Sequence, residues 1–104
     1  MALRTLFDRE TVEKFCRRWK ISELDFFGSV LRRDFGPRSD IDVLVVFKPS
    51  ASWSLLDHVR MESELEKIFG REVDLITRRS VERSRNWVRR KSILDNARPC
   101  YVAG

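Results

Sequence analysis

The sequence predicts an α+β fold, a small mixed β-sheet flanked by helices. Segments with the apolar periodicity of amphipathic helices alternate along the chain with short segments that are typical of strands. The 104 residues are enough for one hydrophobic core, and 42% of them are apolar. We therefore expect one domain over residues 1–104, with a single sheet covered by helices.

The N-terminal part of the chain predicts a helix followed by a strand. Over residues 8–20 apolar side chains recur at the spacing of one helix face, at Val12, Phe15, Cys16 and Trp19. Asp8 suits the N-cap of this helix. Residues 23–26 then alternate polar and apolar, which predicts a half-buried strand that runs into Phe27 and stops at Gly28-Ser29.

The central part predicts a short helix, a buried strand and a long helix. Residues 30–35 suit a short helix that Gly36-Pro37 ends. Residues 41–47 are the most apolar run in the sequence, and their β-branched side chains favour a central strand. A helix of about four turns should follow and end at Gly70, with an apolar side formed by Leu55, Leu56, Val59, Leu65, Ile68 and Phe69.

The C-terminal part predicts one more strand and one more helix. Residues 72–76 alternate again, which indicates a third strand. Residues 84–97 have a weaker helical pattern, with Trp87, Ile93, Leu94 and Ala97 on the apolar side. The predicted order is therefore helix, strand, short helix, strand, helix, strand and helix.

The positive charge is concentrated near the C-terminus. The chain has a net charge of +5, and residues 78–91 contain a single acid, Glu82. The basic residues of this stretch are Arg78, Arg79, Arg83, Arg85, Arg89, Arg90 and Lys91. Such a block could bind phosphates or an acidic partner surface, and it could equally be a solvated helix face. Trp87 within it is a candidate interface residue.

Several classes of protein are excluded by the composition. No apolar run approaches ~20 residues, so we expect no membrane-spanning helix, and residues 1–4 lack the features of a secretory signal. Cys16, Cys100 and the single histidine, His58, are too few and too scattered for a zinc site. We expect a cytoplasmic protein with reduced cysteines, in which His58 is a surface or packing residue.

Two features of the central stretch indicate phosphate and metal chemistry. A glycine that opens a helix lets a phosphate approach the backbone N–H groups, and Ser29 adds a hydroxyl donor, although Gly28 and Ser29 are also ordinary turn residues. Asp40 and Asp42 lie two residues apart at the head of a strand, so their carboxylates point to one side. A divalent cation such as Mg²⁺ would relieve their repulsion, unless Asp42 simply faces solvent after a turn.

A third carboxylate strengthens the case for a metal site. Asp74 lies in the middle of the third predicted strand, where a β-branched or aromatic residue would be usual. If this strand neighbours residues 40–47, Asp74 can face the side of Asp40 and Asp42. Three carboxylates around one point suit two metal ions of the kind that assist phosphoryl transfer. The alternative places Asp74 on a solvated face.

The spacing of these residues resembles a known family. Gly28-Ser29, ten intervening residues and Asp40-Ile41-Asp42 are similar to the GS-x10-D-x-D pattern of the DNA polymerase β-like nucleotidyltransferase superfamily. Residues 27–32, 39–45 and 70–75 extend the resemblance, and residues 93–101 resemble the short tail of the family. Nearly the whole chain is covered, and it resembles the minimal nucleotidyltransferases (MNT), the antitoxin half of HEPN/MNT toxin–antitoxin pairs.

This resemblance implies a nucleotidyltransferase core, a reaction and a set of site residues. ATP would be the substrate and Mg²⁺ the cofactor, with two ions bound. The implied metal ligands and catalytic residues are Asp40, Asp42 and Asp74, and Asp74 would also help to activate the attacking hydroxyl. The implied nucleotide-binding residues are Gly28, Ser29 and Arg32. AMP would be transferred to a tyrosine of a HEPN-type RNase toxin.

Alternatives to this enzyme stay open. Many relatives carry acids where this chain has Arg33 and Arg38, which leaves the fine substrate preference undecided. An antitoxin could also neutralise its toxin by occlusion without catalysis, but such a protein has no need to crowd three acids together. A small RNA- or DNA-binding domain is the third possibility. Without base-stacking aromatics or a known docking motif, direct nucleic-acid binding is not favoured.

Overall fold

The computed structural model describes residues 7–28 and 40–103, and within them four strands form one mixed sheet. The elements are α1 (Arg9–Arg18), β1 (Ile21–Phe27), β2 (Ile41–Phe47), α2 (Leu55–Phe69), β3 (Val73–Thr77), α3 (Arg78–Glu82), α4 (Trp87–Asn96) and β4 (Arg98–Val102). The strand order is β3-β2-β1-β4. β1 is antiparallel to β2 and β4, whereas β2 and β3 are parallel. The predicted α+β fold is confirmed.

One face of the sheet carries the larger hydrophobic core, beneath α1 and α2. Each helix buries three residues against this face: Val12, Phe15 and Cys16 from α1, and Met61, Leu65 and Phe69 from α2. They meet the alternate strand residues that point to the same side, such as Phe26, Val43 and Leu75. Removing these side chains from water is the main favourable term in folding.

The opposite face carries a smaller core beneath α3 and α4. Phe27 and Leu44 from the sheet pack with Val81 of α3 and Ile93 of α4. The central strand β2 is thus covered on both sides, which explains why residues 41–47 are so apolar. None of the helices in the described part of the chain has the length and apolar character needed to cross a membrane.

A polar stripe on α2, formed by His58, Glu62 and Glu66, holds the outer edge of β3. The Leu75 N–H donates to Oε2 of Glu62 at 2.9 Å, and the Leu75 carbonyl accepts from Nε2 of His58 at 2.7 Å. The Val73 N–H donates to Oε2 of Glu66 at 3.1 Å. These side chains occupy backbone groups that would otherwise be unpaired at a sheet edge, and they fix β3 against α2.

Most predicted elements are confirmed, with small changes at their ends. The predicted apolar side of α2 is wrong in its first turns, where Leu55, Leu56 and Val59 are exposed. Gly70 follows α2 in the left-handed conformation, with a φ of 69°, as expected. β3 begins at Val73, one residue later than predicted, and α4 begins at Trp87 because the Asn86 side chain caps it by accepting from the Arg89 N–H. The short helix predicted over residues 30–35 lies outside the described residues.

Two elements, α3 and β4, were not predicted. α3 has five residues and buries only Val81, so it has no apolar periodicity to detect. β4 contains Arg98 and Pro99, and neither residue favours a strand. It forms nevertheless because an edge strand tolerates proline, and because β1 offers it a pairing partner on that side.

We predict that Glu62→Ala destabilises the fold by about 1–3 kcal/mol, because the Leu75 N–H loses its acceptor. Glu62→Gln should cost less, since an amide oxygen can still accept the bond. The measurement is urea denaturation near neutral pH. Glu10→Ala is the matched control, because Glu10 is an exposed helical glutamate whose ion pair with Lys14 lies in water. Equal losses in Glu62→Ala and Glu10→Ala would show that the bond to Leu75 contributes nothing.

Candidate active site

Asp42 and Asp74 lie opposite each other on adjacent strands. The parallel register of β2 and β3 pairs Ile41 with Val73, Asp42 with Asp74 and Val43 with Leu75. Because directly paired residues share a face, Asp42 and Asp74 are on the same side of the sheet. The residues before and after each aspartate belong to the larger core under α1 and α2. Because successive strand residues point to opposite faces, the two carboxylates are on the side covered by α3 and α4.

Asp40 precedes β2 and is exposed. It is two residues before Asp42, the spacing that places successive side chains on one side of an extended chain. The Ile41 N–H donates to the Glu72 carbonyl oxygen at 2.9 Å, which ties the start of β2 to the start of β3. The three predicted carboxylates therefore come from one end of two paired strands.

Gly28 brings its backbone against the Asp42 carboxyl group. Phe27 pairs with Asp42 across β1 and β2, and Gly28 follows with a φ of 71°. A β-carbon at position 28 would overlap Oδ2 of Asp42 and would lie 3.2 Å from its Cγ. Glycine alone suits this position, since it has no β-carbon to meet the carboxyl group and adopts a positive φ readily. The close approach explains the glycine of the Gly28-Ser29 pair.

The donor set suits a hard cation that also binds a phosphorylated substrate. Within residues 7–28 and 40–103, no three side chains among Asp, Glu, His and Cys form a group that could hold a metal ion alone. Mg²⁺ commonly takes one or two carboxylates together with substrate phosphates, so the Asp42 and Asp74 pair fits that mode of binding. The roles of Asp40, Asp42 and Asp74 as ligands stay a prediction. Ser29 and Arg32 lie outside the described residues.

Asp25 is a buried carboxyl group on the same face, one row further along the sheet. It pairs with Leu44 of β2 and is 4% exposed, and its Oδ1 has no hydrogen-bond partner in the described ranges. Burial, together with a hydrogen bond to Glu23 and repulsion from it, raises the pKa of Asp25 to about 7, against an opposing effect of Arg78. The alternation at residues 23–26 suggested a solvated face, but α3 and α4 cover that face.

Several residues outside the candidate site have roles in packing. His58 packs on β3 through its bond to Leu75, as the sequence suggested. Trp19 and Trp53 contact each other edge to face, with ring centroids 5.0 Å apart, and Nε1 of Trp53 donates to the Trp19 carbonyl oxygen at 2.9 Å. Cys16 is a buried core residue, and burial raises the pKa of its thiol to about 12. Trp87 differs from these residues because it is exposed.

A family model described as a nucleotidyltransferase domain matches residues 8–100. The chain therefore belongs to the nucleotidyltransferase domain family. The more specific resemblance to the minimal nucleotidyltransferases is also confirmed. A solved minimal nucleotidyltransferase superposes with a TM-score of 0.66 at 34% identity, and the match covers 88% of this chain and 87% of that one.

Three relatives carry names that include the words protein adenylyltransferase. The protein adenylyltransferase MntA of Thermococcus cleftensis is 32% identical over 87 residues, which are 79% of this chain and 86% of the relative. Two Methanocaldococcus jannaschii proteins with adenylyltransferase names are 43% and 36% identical. Their matches cover 59% and 62% of this chain, but only 63% and 64% of their own lengths. The chain thus spans less than two-thirds of these two relatives.

A solved toxin–antitoxin complex with AMP-PNP shares the fold. Its TM-score is 0.69 at 18% identity, and the match covers 92% of this chain and 74% of that one. At this identity the likeness concerns the arrangement of strands and helices. It agrees with the strand order and flanking helices described above.

We predict that Gly28→Ala displaces the Asp42 carboxylate and lowers the affinity for ATP in the presence of Mg²⁺ at least about tenfold. Gly70→Ala is the matched control, because Gly70 has a φ of 69° but nothing within 4 Å of an added β-carbon. Both variants should lose about 1–2 kcal/mol of stability through backbone strain. Calorimetric titration with ATP measures the affinity, and urea denaturation measures the stability. Equal ATP affinity in both variants would contradict the assigned role of Gly28.

We also predict that Asp25→Asn changes how stability depends on pH. The pKa of Asp25 rises from 3.8 to about 7 on folding. Between these values the folded protein keeps the proton and the unfolded chain loses it, so the free energy of unfolding falls as the pH rises. Asp25→Asn should therefore be the more stable protein at about pH 8, by on the order of 2–4 kcal/mol, with a smaller gain near pH 5.

Urea denaturation at the two pH values measures this effect. Asp95→Asn is the control, because Asp95 is an exposed carboxylate on α4. A difference between Asp25→Asn and the unmodified protein that does not change with pH would contradict the raised pKa.

Proposed function

We propose that the protein is an Mg²⁺-dependent protein adenylyltransferase and the antitoxin of a toxin–antitoxin pair. It transfers AMP from ATP to a tyrosine of a HEPN-type RNase toxin and thereby silences the toxin. The observation that carries this proposal is the pairing of Asp42 with Asp74 on adjacent strands, with the backbone of Gly28 against the Asp42 carboxyl group.

The carboxylates supply the metal ligands in this proposal. Asp40, Asp42 and Asp74 would hold two Mg²⁺ ions. When bound, the metal offsets the negative charge of the triphosphate and of the transition state. A pair of carboxylates on neighbouring strands, with a third just before one of them, is a rigid base for such ligands, because the register of the sheet fixes their separation.

Gly28, Ser29 and Arg32 bind the triphosphate. The absence of a side chain at Gly28 leaves the backbone accessible beside Asp42. The Ser29 hydroxyl adds a donor, and the Arg32 guanidinium adds a positive charge that stabilises phosphate oxygens. These groups keep the reacting α-phosphorus close to the carboxylates, and such positioning supplies a large share of the rate in phosphoryl transfer.

The transfer itself is a displacement at the α-phosphorus of ATP. The acceptor oxygen forms a bond to the α-phosphorus, the bond to the oxygen that bridges to the β-phosphate breaks, and pyrophosphate leaves with that electron pair. Asp74 helps to remove the proton of the acceptor hydroxyl. Its exposed position suits this role, because an acceptor from another protein can reach it.

The family relationships support this choice of substrate and partner. A relative that matches most of this chain is named protein adenylyltransferase MntA, and a protein of the same fold was solved as a toxin–antitoxin complex with AMP-PNP. Since ATP is the proposed substrate, we place the reaction in the cytoplasm. One minimal domain over residues 1–104 would perform it.

A second candidate function is an antitoxin that acts by occlusion alone. The exposed Trp87, Val88 and Arg89 of α4 would also serve a protein that covers its toxin without catalysis. Direct nucleic-acid binding has less support, because two of the three tryptophans, Trp19 and Trp53, contact each other rather than being displayed for base stacking.

We predict that the protein labels its partner when it is incubated with ATP radiolabelled at the α-phosphate, Mg²⁺ and the protein encoded beside it. Labelling should stop when a chelator removes Mg²⁺ and resume when Mg²⁺ is restored. Asp42→Asn should reduce labelling ~100-fold or more while partner binding persists. Glu10→Gln is the charge-matched control, because Glu10 is exposed on α1, which covers the other side of the sheet.

The outcomes separate the two functions. Binding of the partner without labelling by the unmodified protein would favour occlusion and contradict the enzyme. If Asp42→Asn labels the partner as well as the unmodified protein does, the carboxylate pair has no role in the reaction.

A further inference from the structure

An exposed surface on α3, α4 and the turn between them combines arginines with large apolar side chains. We call it the basic surface, and it consists of Arg79, Arg83, Arg85, Trp87, Val88 and Arg89. Trp87 is 63% exposed and Val88 is 59% exposed, so neither serves the core. All four arginines are exposed as well. A folded protein leaves such a combination in water mainly where a partner covers it.

Among the described residues, the arginines of the basic surface have no carboxylate partners. In residues 7–28 and 40–103, Arg78 pairs with Glu23 and Glu82, and Lys91 pairs with Asp95. None of Arg79, Arg83, Arg85 and Arg89 forms an ion pair within those ranges. Four like charges on two short helices and their turn repel one another, and an acidic partner would offset that repulsion.

The basic surface is on the same side of the sheet as the candidate active site. α3 begins four residues after Asp74, directly after β3. Beneath it, Val81 and Ile93 pack on Leu44 and Phe27, and Phe27 is the residue paired with Asp42. A protein that docks on α3 and α4 is therefore held beside the strands that carry the two carboxylates.

A pocket of about 120 Å³ opens between α3 and α4 next to the basic surface. Its apolar part comes from Ile76, Val81 and Ile93, and Arg89 and Arg90 line it together with two serines. Nη1 of Arg90 donates to the Ser84 carbonyl oxygen at 2.9 Å, which orients this guanidinium at the pocket. An apolar floor with cationic groups around it suits one acidic side chain, whose stem is apolar and whose end is anionic.

We infer that the basic surface docks an acidic face of the acceptor protein and thereby presents its hydroxyl to Asp42 and Asp74. This inference rests on the proposed function, since it concerns the substrate of that reaction. Tryptophan and arginine are the residue types that contribute most to protein interfaces, and Val88 adds an apolar contact that a phosphate backbone could not use. The pocket adds a place for a single side chain. A protein partner explains the exposed tryptophan among arginines, the exposed Val88 and the pocket.

The test compares two variants of the basic surface with a matched control. Arg85→Glu/Arg89→Glu reverses two charges, and Trp87→Ala removes the aromatic side chain. Arg60→Glu/Lys67→Glu changes the net charge equally on α2, which covers the opposite face of the sheet. All of these residues are exposed, so the variants should fold. The probe is the protein encoded beside this chain, and the readouts are its dissociation constant and the KM and kcat of its labelling.

We predict that both variants of the basic surface bind the partner at least about tenfold more weakly and raise KM to a similar extent. Affinity for ATP and the kcat of labelling should stay within about twofold, because no residue that binds ATP has changed. Added salt should weaken partner binding by the unmodified protein more than by Arg85→Glu/Arg89→Glu. The control should behave like the unmodified protein.

Other results would distinguish the docking surface from the enzyme activity and from RNA binding. Partner binding that is lost in the variants, without labelling by any form of the protein, would support the docking surface and contradict the enzyme. Unchanged KM and partner affinity in both variants would overturn the docking surface. If a short single-stranded RNA instead loses affinity in them while partner binding is retained, the surface binds RNA and the inference is wrong. An unmodified protein that neither binds nor labels the partner would overturn both proposals.

Discussion

The position of β3 against β2 is the constraint on which the candidate site depends. Asp42 and Asp74 share a face only because β3 pairs with β2 in a register that sets them opposite each other. A shift of one residue would turn Asp74 into the larger core. The register is held from both sides, since the Ile41 N–H bonds to the Glu72 carbonyl and the polar stripe of α2 bonds to the outer edge of β3. A helix on the opposite face of the sheet thus helps to determine whether two carboxylates can act together.

The two faces of the sheet divide the tasks of the molecule. The face under α1 and α2 holds most of the buried apolar side chains and therefore most of the stabilising free energy. The face under α3 and α4 holds a small core and several carboxyl groups, among them Asp25, Asp42 and Asp74. Such a concentration of acids is tolerated because burial keeps Asp25 protonated up to about pH 7, while Asp74 stays in water.

Local patterns predicted what depends on local physics. The helices and strands with clear periodicity and the glycine after α2 follow from spacing that can be read along the chain, whereas the shared face of Asp42 and Asp74 also needs the register between two strands. β4 could not be predicted, since its residues favour a strand only when β1 is beside them. The burial of Asp25 could not be predicted either, because it depends on α3 and α4, which come more than fifty residues later in the chain. The polar stripe on α2 was detectable in principle, because His58, Glu62 and Glu66 recur every four residues on one helix face.

The layer formed by α3 and α4 is poorly explained by stability alone. α3 buries only Val81, and α4 buries only Ile93. A helix retained for packing would bury a continuous apolar stripe, as α2 does with Met61, Leu65 and Phe69. α4 also exposes its first two residues, as α2 exposes Leu55 and Leu56, but those of α4 lie among arginines that lack carboxylate partners in the described chain. Because the core gains so little from these side chains, their composition is better explained by what they contact outside the molecule. The sheet beneath them ends in the candidate catalytic carboxylates, so catalysis and recognition would share one face of a very small fold.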